Sequence, residues 1–198
     1  MLSIENFSFN RSGNVVISDV SFEMEEGSNV EIIGSNGSGK TTLLRAILGF
    51  IPEVKGNILW EGNDIKMSRH SFFKSCFYQG HSLALKSILS LGENLKYSSA
   101  GFNSTKKEIL AAVSRVGMEG FLDQSISELS VGQKKRAAIA KWLLKEKKIY
   151  LIDEPFTALD DEGRKLICSI VDELNMKGIS FLITGHRPSS IKSKEIYL

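Results

Sequence analysis

Cysteine, proline and net charge are all scarce in this chain of 198 residues. It has two cysteines and three prolines, and 25 Lys and Arg against 23 Asp and Glu leave a formal charge of +2. Cys76 and Cys168 lie far apart and form no CxxC pair, which excludes a disulfide scaffold and favours two reduced thiols. The ordinary composition excludes a disordered or fibrous protein. The small net charge argues against a dedicated nucleic-acid binder, which is usually clearly basic.

Long apolar runs are also missing. No uncharged run approaches the roughly 18 residues that a membrane helix needs. The first residues, Met1 to Glu5, show no basic region followed by an apolar core. We therefore expect neither a membrane span nor a signal peptide, and any membrane role must come from a partner. The length is typical of one domain, and a chain of this size buries roughly 70% of its unfolded surface.

The hydrophobic period changes several times along the chain. Apolar and polar residues alternate from Asp19 to Met24, and Val30 to Ile33 is a short, mostly apolar run, so both segments predict strands. From Lys40 the spacing becomes helical, and Gly49 is a suitable stop. Further strands are expected at 57–60, 149–152 and 179–184, and further helices at 105–116 (with a Thr105 and Glu108 capping box), 130–144 and 160–174. The pattern predicts one α/β domain with a helical insertion over about 80–145.

A glycine-rich segment lies between the strand ending at Ile33 and the helix beginning at Lys40. It fits the pattern GxxxxGK[ST], in which backbone N–H groups and a helix N-terminus surround phosphate oxygens. Lys40 is expected to reach the β- and γ-phosphates of a nucleotide, and the Thr41 hydroxyl to coordinate Mg²⁺. The predicted nucleotide-binding residues here are Gly34, Ser35, Asn36, Gly37, Ser38, Gly39, Lys40, Thr41 and Thr42.

Two acidic residues follow the apolar run Ile149 to Ile152. Asp153 at the end of a buried strand is a candidate Mg²⁺ ligand beside the phosphate loop. Glu154 points to the opposite side of the strand end and is a candidate general base for the attacking water. The alternative is that both acids cap the turn before Pro155, and the nearby phosphate loop makes this alternative the weaker one.

Four further segments resemble motifs of one family. Leu129-Ser130-Val131-Gly132-Gln133 resembles the LSGGQ signature of the ABC ATPases, which other P-loop enzymes lack. Gln79 matches the Q-loop, Ala158-Leu159-Asp160 the D-loop, and His186 the switch histidine. The motifs occur in the family's order and cover nearly the whole chain. They exclude a small P-loop kinase.

The resemblance implies a fold, a reaction and a second copy. The fold is α/β: a P-loop NTPase (RecA-like) core with an N-terminal antiparallel β subdomain and an inserted α-helical subdomain, the ABC ATPase fold. We expect a single domain over 1–198, with a catalytic lobe of 1–79 and 146–198 and a helical lobe of 80–145. In this family two chains form a head-to-tail homodimer that binds ATP and Mg²⁺ between them, and ATP is hydrolysed.

The same resemblance assigns roles to residues outside the phosphate loop. Gln79 is expected to contact Mg²⁺ or the water, and His186 to hydrogen-bond the γ-phosphate beside Glu154. The signature and the D-loop are expected to contact the nucleotide through Ser130, Gly132, Gln133 and Asp160. Cys76 and His81 are too isolated from other ligands to predict a metal site.

Two positions depart from the family pattern. Val131 stands where the signature has its first glycine, whereas Gly132 is retained. Arg11 stands ten residues before Ser21, where the family usually has an aromatic residue that stacks on adenine. A guanidinium can stack on a purine, so Arg11 is our candidate for the base contact, with Phe9 as the alternative.

Several stretches resemble one subfamily, the bacterial ATPases of haem export for cytochrome c maturation. They include 33–37, 40–45, Gly80-His81-Ser82, Glu93-Asn94-Leu95 and 153–160. This resemblance implies a CcmB-like integral-membrane permease as partner and a cytoplasmic, peripheral location on the inner membrane through that permease. The alternatives are the ATPase of another small-substrate or lipid ABC transporter, and a soluble ABC ATPase. No CxxCH or axial ligand pair points to haem itself.

A basic stretch and an apolar segment each allow two interpretations. The lysines and arginine from Lys134 to Lys148 alternate with core positions, so a solvated face is favoured over nucleic-acid binding, and we expect no nucleic-acid partner. The segment from Gly80 to Leu85, with Ile88 and Leu91, is a candidate docking site for the permease. The alternative is that these apolar residues pack inside the helical lobe.

Overall fold

The computed structural model describes residues 1–51, 54–98, 100, 103–157 and 159–198. The strands are β1 (Leu2–Arg11), β2 (Asn14–Met24), β3 (Asn29–Ile33), β4 (Lys55–Trp60), β5 (Asn63–Asp64), β6 (Cys76–Gln79), β7 (Ile149–Ile152), β8 (Ser180–Gly185) and β9 (Lys194–Tyr197). The α-helices are α1 (Lys40–Ile47), α2 (Arg69–Ser75), α3 (Leu91–Lys96), α4 (Lys106–Arg115), α5 (Val131–Ala140) and α6 (Asp161–Asn175). Short 3-10 turns occupy Glu119–Phe121, Ile126–Glu128 and Lys141–Leu143. The predicted α/β class is confirmed.

An antiparallel sheet has the strand order β2-β1-β4-β5. Val20, Phe22 and Met24 are buried whereas the residues between them are exposed, as the alternation predicts. Ile4 of β1 lies opposite Phe22 and Ile58, and all three side chains belong to the main hydrophobic cluster. One face of this sheet is therefore part of the core.

A parallel sheet has the strand order β6-β7-β8-β3-β9. All four residues of β7 are buried, which agrees with their continuous apolar sequence. Because the strands are parallel, the carboxyl ends of β3, β6, β7 and β8 meet at one edge of the sheet, where ligands bind in open α/β folds. We call this the carboxyl edge. The candidate nucleotide site lies at this edge.

The helices α3, α4 and α5 each begin with a capping box. The pairs are Ser90 with Glu93, Thr105 with Glu108, and Ser130 with Gln133. The Thr105 box is as predicted. The signature helix is shorter than the predicted span of 130–144, because α5 ends at Ala140 and the chain tightens into a 3-10 turn in which Leu144 N–H donates to Lys141 O.

The chain forms two compact units. The first contains 1–80, 147–157 and 170–198, and the second contains 81–146 and 158–169. Both sheets belong to the first unit, while α3, α4 and α5 belong to the second. Within the described part of the chain, no helix is long and apolar enough to span a lipid bilayer.

Candidate nucleotide site

The loop between β3 and α1 has a backbone that requires glycine. Gly39 immediately precedes α1 with φ +102°, and a Cβ there would approach Ile17 Cγ1 to 2.6 Å. Gly37 also has a positive φ, of +84°. These conformations are strained for other residues. The glycines thus let the backbone turn into the N-terminus of α1, where free N–H groups favour an anion.

Lys40, the first residue of α1, is buried at 5% exposure. Its ammonium donates to the carbonyl oxygens of Gly34 at 2.8 Å and Ser35 at 3.0 Å. The same nitrogen lies 3.5 Å from Glu154 Oε1. The loop therefore folds around the Lys40 ammonium, which also faces the Glu154 carboxylate.

Thr41 and Asp153 meet across the carboxyl edge. The Thr41 hydroxyl donates to Asp153 Oδ2 at 2.9 Å. The other carboxylate oxygen, Oδ1, accepts from the Thr184 hydroxyl at 2.6 Å. Asp153 is 4% exposed and Thr184 is fully buried. Both carboxylate oxygens are thus held in fixed directions.

Glu154 lies next to Asp153 but has a different backbone. Its φ is +53°, in the left-handed region, and its N–H donates to the Thr184 hydroxyl at 2.9 Å. Oε2 lies 3.3 Å from His186 Nε2 and accepts a hydrogen bond from the Thr157 hydroxyl at 3.4 Å. A left-handed non-glycine residue costs on the order of 1–3 kcal/mol, and such strain clusters at functional sites. The kink turns the Glu154 carboxylate toward Lys40 and His186.

His186 follows β8, and Gln79 is the last residue of β6. His186 Nδ1 lies 3.3 Å from Gly34 O of the phosphate loop. Gln79 is buried at the end of β6, and its carbonyl accepts from Asp153 N–H at 2.9 Å. Beside it, burial raises the pKa of Tyr78, the Asp153 carboxylate acts in the same direction, and Arg45 opposes both. The structure therefore brings Lys40, Thr41, Asp153, Glu154, His186 and Gln79 together.

The donor set fits a magnesium nucleotide. The Ser38 hydroxyl is buried and has no hydrogen-bond partner among the described residues, as expected for a group that turns toward a ligand. Thr41 and Asp153 offer two oxygen ligands, and Mg²⁺ is usually held by one or two protein oxygens together with phosphates and water. No cluster of three or more His, Cys, Asp or Glu that would form an all-protein metal cage occurs among the described residues.

Arg11 ends β1, opposite Asn14 in the β1–β2 hairpin, and is exposed. Among the described residues its guanidinium has no hydrogen-bond or ion-pair partner. Phe9, the alternative, is half-buried and pairs with Ile17, whose side chain borders Gly39. The hairpin thus meets the phosphate loop through Ile17. Arg11 lies near the tip of this hairpin, where it is accessible to a nucleotide base.

The signature residues lie in the second unit, at the start of α5. Ser130 is exposed, and its hydroxyl accepts from Gln133 N–H at 3.2 Å while its own N–H donates to Gln133 Oε1 at 2.8 Å. Val131 is 66% exposed, and nothing lies within 4 Å of where a Cβ on Gly132 would be. Within the chain, Ser130 and Gln133 thus bond to each other at the helix N-terminus, and the backbone of Val131 and Gly132 faces outward.

The described residues cover only part of the D-loop, because Ala158 lies outside them. Asp160 is exposed and its Oδ1 accepts from Gly163 N–H at 2.8 Å, so this carboxylate caps the first turn of α6.

Thr184 is the site residue that sequence reasoning missed as a functional residue. Its one hydroxyl donates to Asp153 and accepts from Glu154 N–H. The sequence offers one signal for Thr184, which is a polar residue directly after the apolar run 181–183. This run forms the strand next to the one that ends at the acidic pair. That signal has meaning only when the strand order is known, because the two segments are about thirty residues apart.

The phosphate loop, acidic pair, glutamine and histidine at one sheet edge, with a separate LSVGQ helix, define an ATP-binding subunit of the ABC class. The sequence profile of the ABC transporter family matches residues 17–157, and the chain belongs to this family. Its enzymatic activity is ATP hydrolysis coupled to transport. Among the members it is similar to are the cytochrome c biogenesis ATP-binding export proteins CcmA.

The CcmA of Wolbachia pipientis wMel is 37% identical over 186 residues, which cover 94% of this chain and 89% of that protein. The CcmA of Vibrio parahaemolyticus serotype O3:K6 is 35% identical over 189 residues, covering 94% and 92%. Among solved structures, an ABC transporter ATP-binding protein described as putative, from Pyrococcus furiosus, has a TM-score of 0.86 at 28% identity, covering 100% of this chain and 96% of that one. The cbiO1 part of the cbiONQ ABC transporter complex from Clostridium perfringens has a TM-score of 0.78 at 27% identity, covering 94% and 78%. The predicted family and ABC ATPase fold are confirmed.

Proposed function

We propose that this chain is the ATP-hydrolysing subunit of an ABC exporter that works in cytochrome c biogenesis, with haem as the exported cargo. The observation that carries the ATPase part is the contact of Glu154 with both Lys40 and His186 at the carboxyl edge. The similarity to CcmA proteins over 94% of the chain supports the biogenesis part.

In this proposal Glu154 is the general base. Its carboxylate takes a proton from water, the water oxygen forms a bond to the γ-phosphorus, and the bond to the bridging oxygen of ADP breaks. His186 lies within reach of Oε2 and orients the carboxylate while donating to the γ-phosphate. Gln79 contacts the water or the metal from the end of β6.

Lys40 neutralises the β- and γ-phosphates. Nucleotide binding would exchange its present carbonyl partners, Gly34 and Ser35, for phosphate oxygens, which are stronger acceptors. Thr41 and Asp153 would hold Mg²⁺, which supplies charge neutralisation of the β- and γ-phosphates when bound. Arg11 stacks on the base from the tip of the β1–β2 hairpin.

A second copy of the chain completes the site. Ser130, Gly132 and Gln133 at the start of α5, with Asp160, contact the nucleotide held by the partner's phosphate loop. Exposure of Ser130 and Gly132 supports this arrangement, since a helix N-terminus facing outward is available to an anion carried by another chain. The proposed assembly is a head-to-tail homodimer.

A CcmB-like permease is the proposed membrane partner, and it holds the dimer on the cytoplasmic face of the inner membrane. The segment after Gln79 supports a docking site there. Leu91 is fully buried and Leu83 and Leu85 are half-buried, but Ile88 is 88% exposed. Leu91 therefore packs inside the helical lobe, whereas Ile88 lies on an exposed surface.

Glu154→Gln separates binding from hydrolysis. The amide keeps the size of the side chain but accepts no proton, so turnover should fall at least ~100-fold. ATP should still bind, and light scattering should show a dimer that forms with ATP and persists. The exposed Glu23→Gln is the matched control. Turnover near that of the unmodified protein would remove Glu154 from the role of base.

The biogenesis role has its own test. The chain, expressed in a bacterium whose CcmA is deleted, should restore c-type cytochromes, and E154Q should not. Recovery of a permease with the tagged chain but no restored cytochromes would favour another small-substrate or lipid transporter. Recovery in the soluble fraction alone would favour a soluble ABC ATPase.

A further inference from the structure

Lys141 is a buried lysine that the nucleotide chemistry does not use, so the solvated face predicted for the basic residues from Lys134 to Lys148 does not include it. It follows the last residue of α5 and is 6% exposed. Its ammonium donates to the carbonyl oxygen of Ala84 at 2.7 Å and to that of Leu83 at 3.2 Å. The end of the signature helix is thereby tied to a segment 57 residues earlier in the chain.

The bonds of Lys141 are unusual for a buried cation. No carboxylate lies within ion-pair distance of its nitrogen among the described residues, and its partners there are two backbone carbonyls. Burial lowers its pKa to about 8. A hydrophobic residue would fill this position without the desolvation cost of an ammonium, so the packing alone does not account for a lysine.

The segment that Lys141 holds contains no helix or strand over residues 81–89. Other polar side chains also fix it. Asn94 accepts from Lys86 N–H at 2.7 Å and donates to the carbonyls of Lys86, Leu89 and Ser90. The Ser125 hydroxyl donates to Ser87 O at 2.8 Å. An irregular segment held by this many side-chain bonds is a fixed platform, and it presents Ile88 on its outside.

Ala84 shows that the platform is held under strain. Its φ is +50°, a conformation that alanine rarely adopts, and its carbonyl receives the shorter of the two Lys141 bonds. Strained residues persist where the surroundings over-determine them. Lys141 is the described side chain that bonds to this residue.

We infer that Lys141 is a positioning residue that joins the signature helix to the segment 81–90, so that the two move as one piece. The inference rests on the proposed function, in which α5 responds to ATP and the segment 81–90 meets the permease. A displacement of α5 at ATP closure then reaches the permease without a separate hinge between them.

Amide hydrogen exchange of the purified full chain tests the anchor itself. In Lys141→Met the amides of Lys86 and Leu89 should exchange about tenfold faster, while those of α5 keep their rates. Lys141→Arg should restore slow exchange, because arginine is always charged and has several donors. Lys106→Met, the same change at an exposed lysine of α4, is the control. If K141M does not fold, Lys141→Gln replaces it with the same expectation.

Two exchange results would overturn the inference. Unchanged exchange at Lys86 and Leu89 would show that Lys141 does not hold the segment. Faster exchange throughout the second unit that arginine does not restore would show a packing role only.

ATP hydrolysis by membranes carrying the assembled transporter tests the coupling. K141M should lower kcat about tenfold with an unchanged KM for ATP, whereas the purified chain should hydrolyse ATP at its ordinary rate. K141R should recover the transporter's rate. An unchanged kcat in membranes, with the segment loosened, would overturn the coupling. If the unmodified chain associates with no permease, the proposed function fails, while the exchange result still decides the anchor.

Discussion

The phosphate loop and the signature motif are both proposed to contact the nucleotide, yet the two regions differ in how they are held. Around the phosphate loop, Lys40, Asp153 and Thr184 are buried. Asp153 accepts from both Thr41 and Thr184, and Lys40 lies 3.5 Å from Glu154. At the signature, Ser130 and Gly132 are exposed, and Ser130 bonds to Gln133 three residues along the same helix.

This difference indicates where each region finds its partners. The first is complete within one fold, because a parallel sheet places its strand ends side by side. The second carries donors that the chain does not bury, as expected for a surface that meets its ligand only with another copy. Substitutions around the phosphate loop should therefore alter the stability or the nucleotide binding of the single chain. Substitutions at the signature should alter the association of two chains.

Lys40→Ala should have the largest effect. It removes the buried cation of the phosphate loop, and we expect ATP affinity to fall beyond about 100-fold, or ~2.7 kcal/mol. Isothermal titration calorimetry with ATP and Mg²⁺ measures this, with the exposed Lys165→Ala as control. Tight ATP binding by K40A would contradict the assignment of the loop.

Thr184→Val tests whether one hydroxyl holds both acids. Valine keeps the shape but leaves Asp153 Oδ1 and Glu154 N–H without their partner, and a buried unsatisfied group costs about 1–3 kcal/mol. We expect kcat to fall on the order of tenfold, with a lower melting temperature. Thr184→Ser keeps the hydroxyl and should restore both. If T184S is as impaired as T184V, the methyl group matters and the hydroxyl does not.

A pair of glycine substitutions sharpens the comparison most directly. Gly39→Ala places a Cβ against Ile17 at positive φ and should destabilise the chain by about 1–3 kcal/mol. Gly132→Ala meets open space in a helix and should stabilise it by about 0.5–1 kcal/mol. Only G132A should melt at or above the temperature of the unmodified protein and yet fail to form the ATP-dependent dimer. Normal dimer formation by G132A would mean that the signature glycine does not contact the nucleotide.

Nucleotide selectivity should show the smallest effect. Arg11 is exposed and lacks the ring that usually stacks on adenine, so we expect most of the binding energy to come from the triphosphate and Mg²⁺. We expect ATP and GTP to bind within about tenfold of each other, or ~1.4 kcal/mol. A strong preference for ATP in competition calorimetry would show that another residue recognises the base. Arg11→Ala then distinguishes Arg11 from Phe9.

Local elements were largely predictable because their causes are local. Alternation marked β2, the apolar run marked β7, and the Thr105 and Glu108 spacing marked the start of α4. The end of α5 was predicted wrongly. The predicted helix ran to Leu144, whereas the chain tightens into a 3-10 turn after Ala140. Apolar residues at Leu143 and Leu144 fit a helix and a buried 3-10 turn equally well.

The sequence alone determined the family, the phosphate loop, the acidic pair and the order of the motifs, since each depends on residue types at short, fixed spacings. Only the tertiary structure decided that Thr184 holds both acids and that Lys141 holds the segment after Gln79. These contacts join residues 30 to 58 positions apart. Such pairings depend on strand order and helix packing, which no local spacing encodes. The same is true of Glu154, whose left-handed backbone places its N–H against the Thr184 hydroxyl of a different strand.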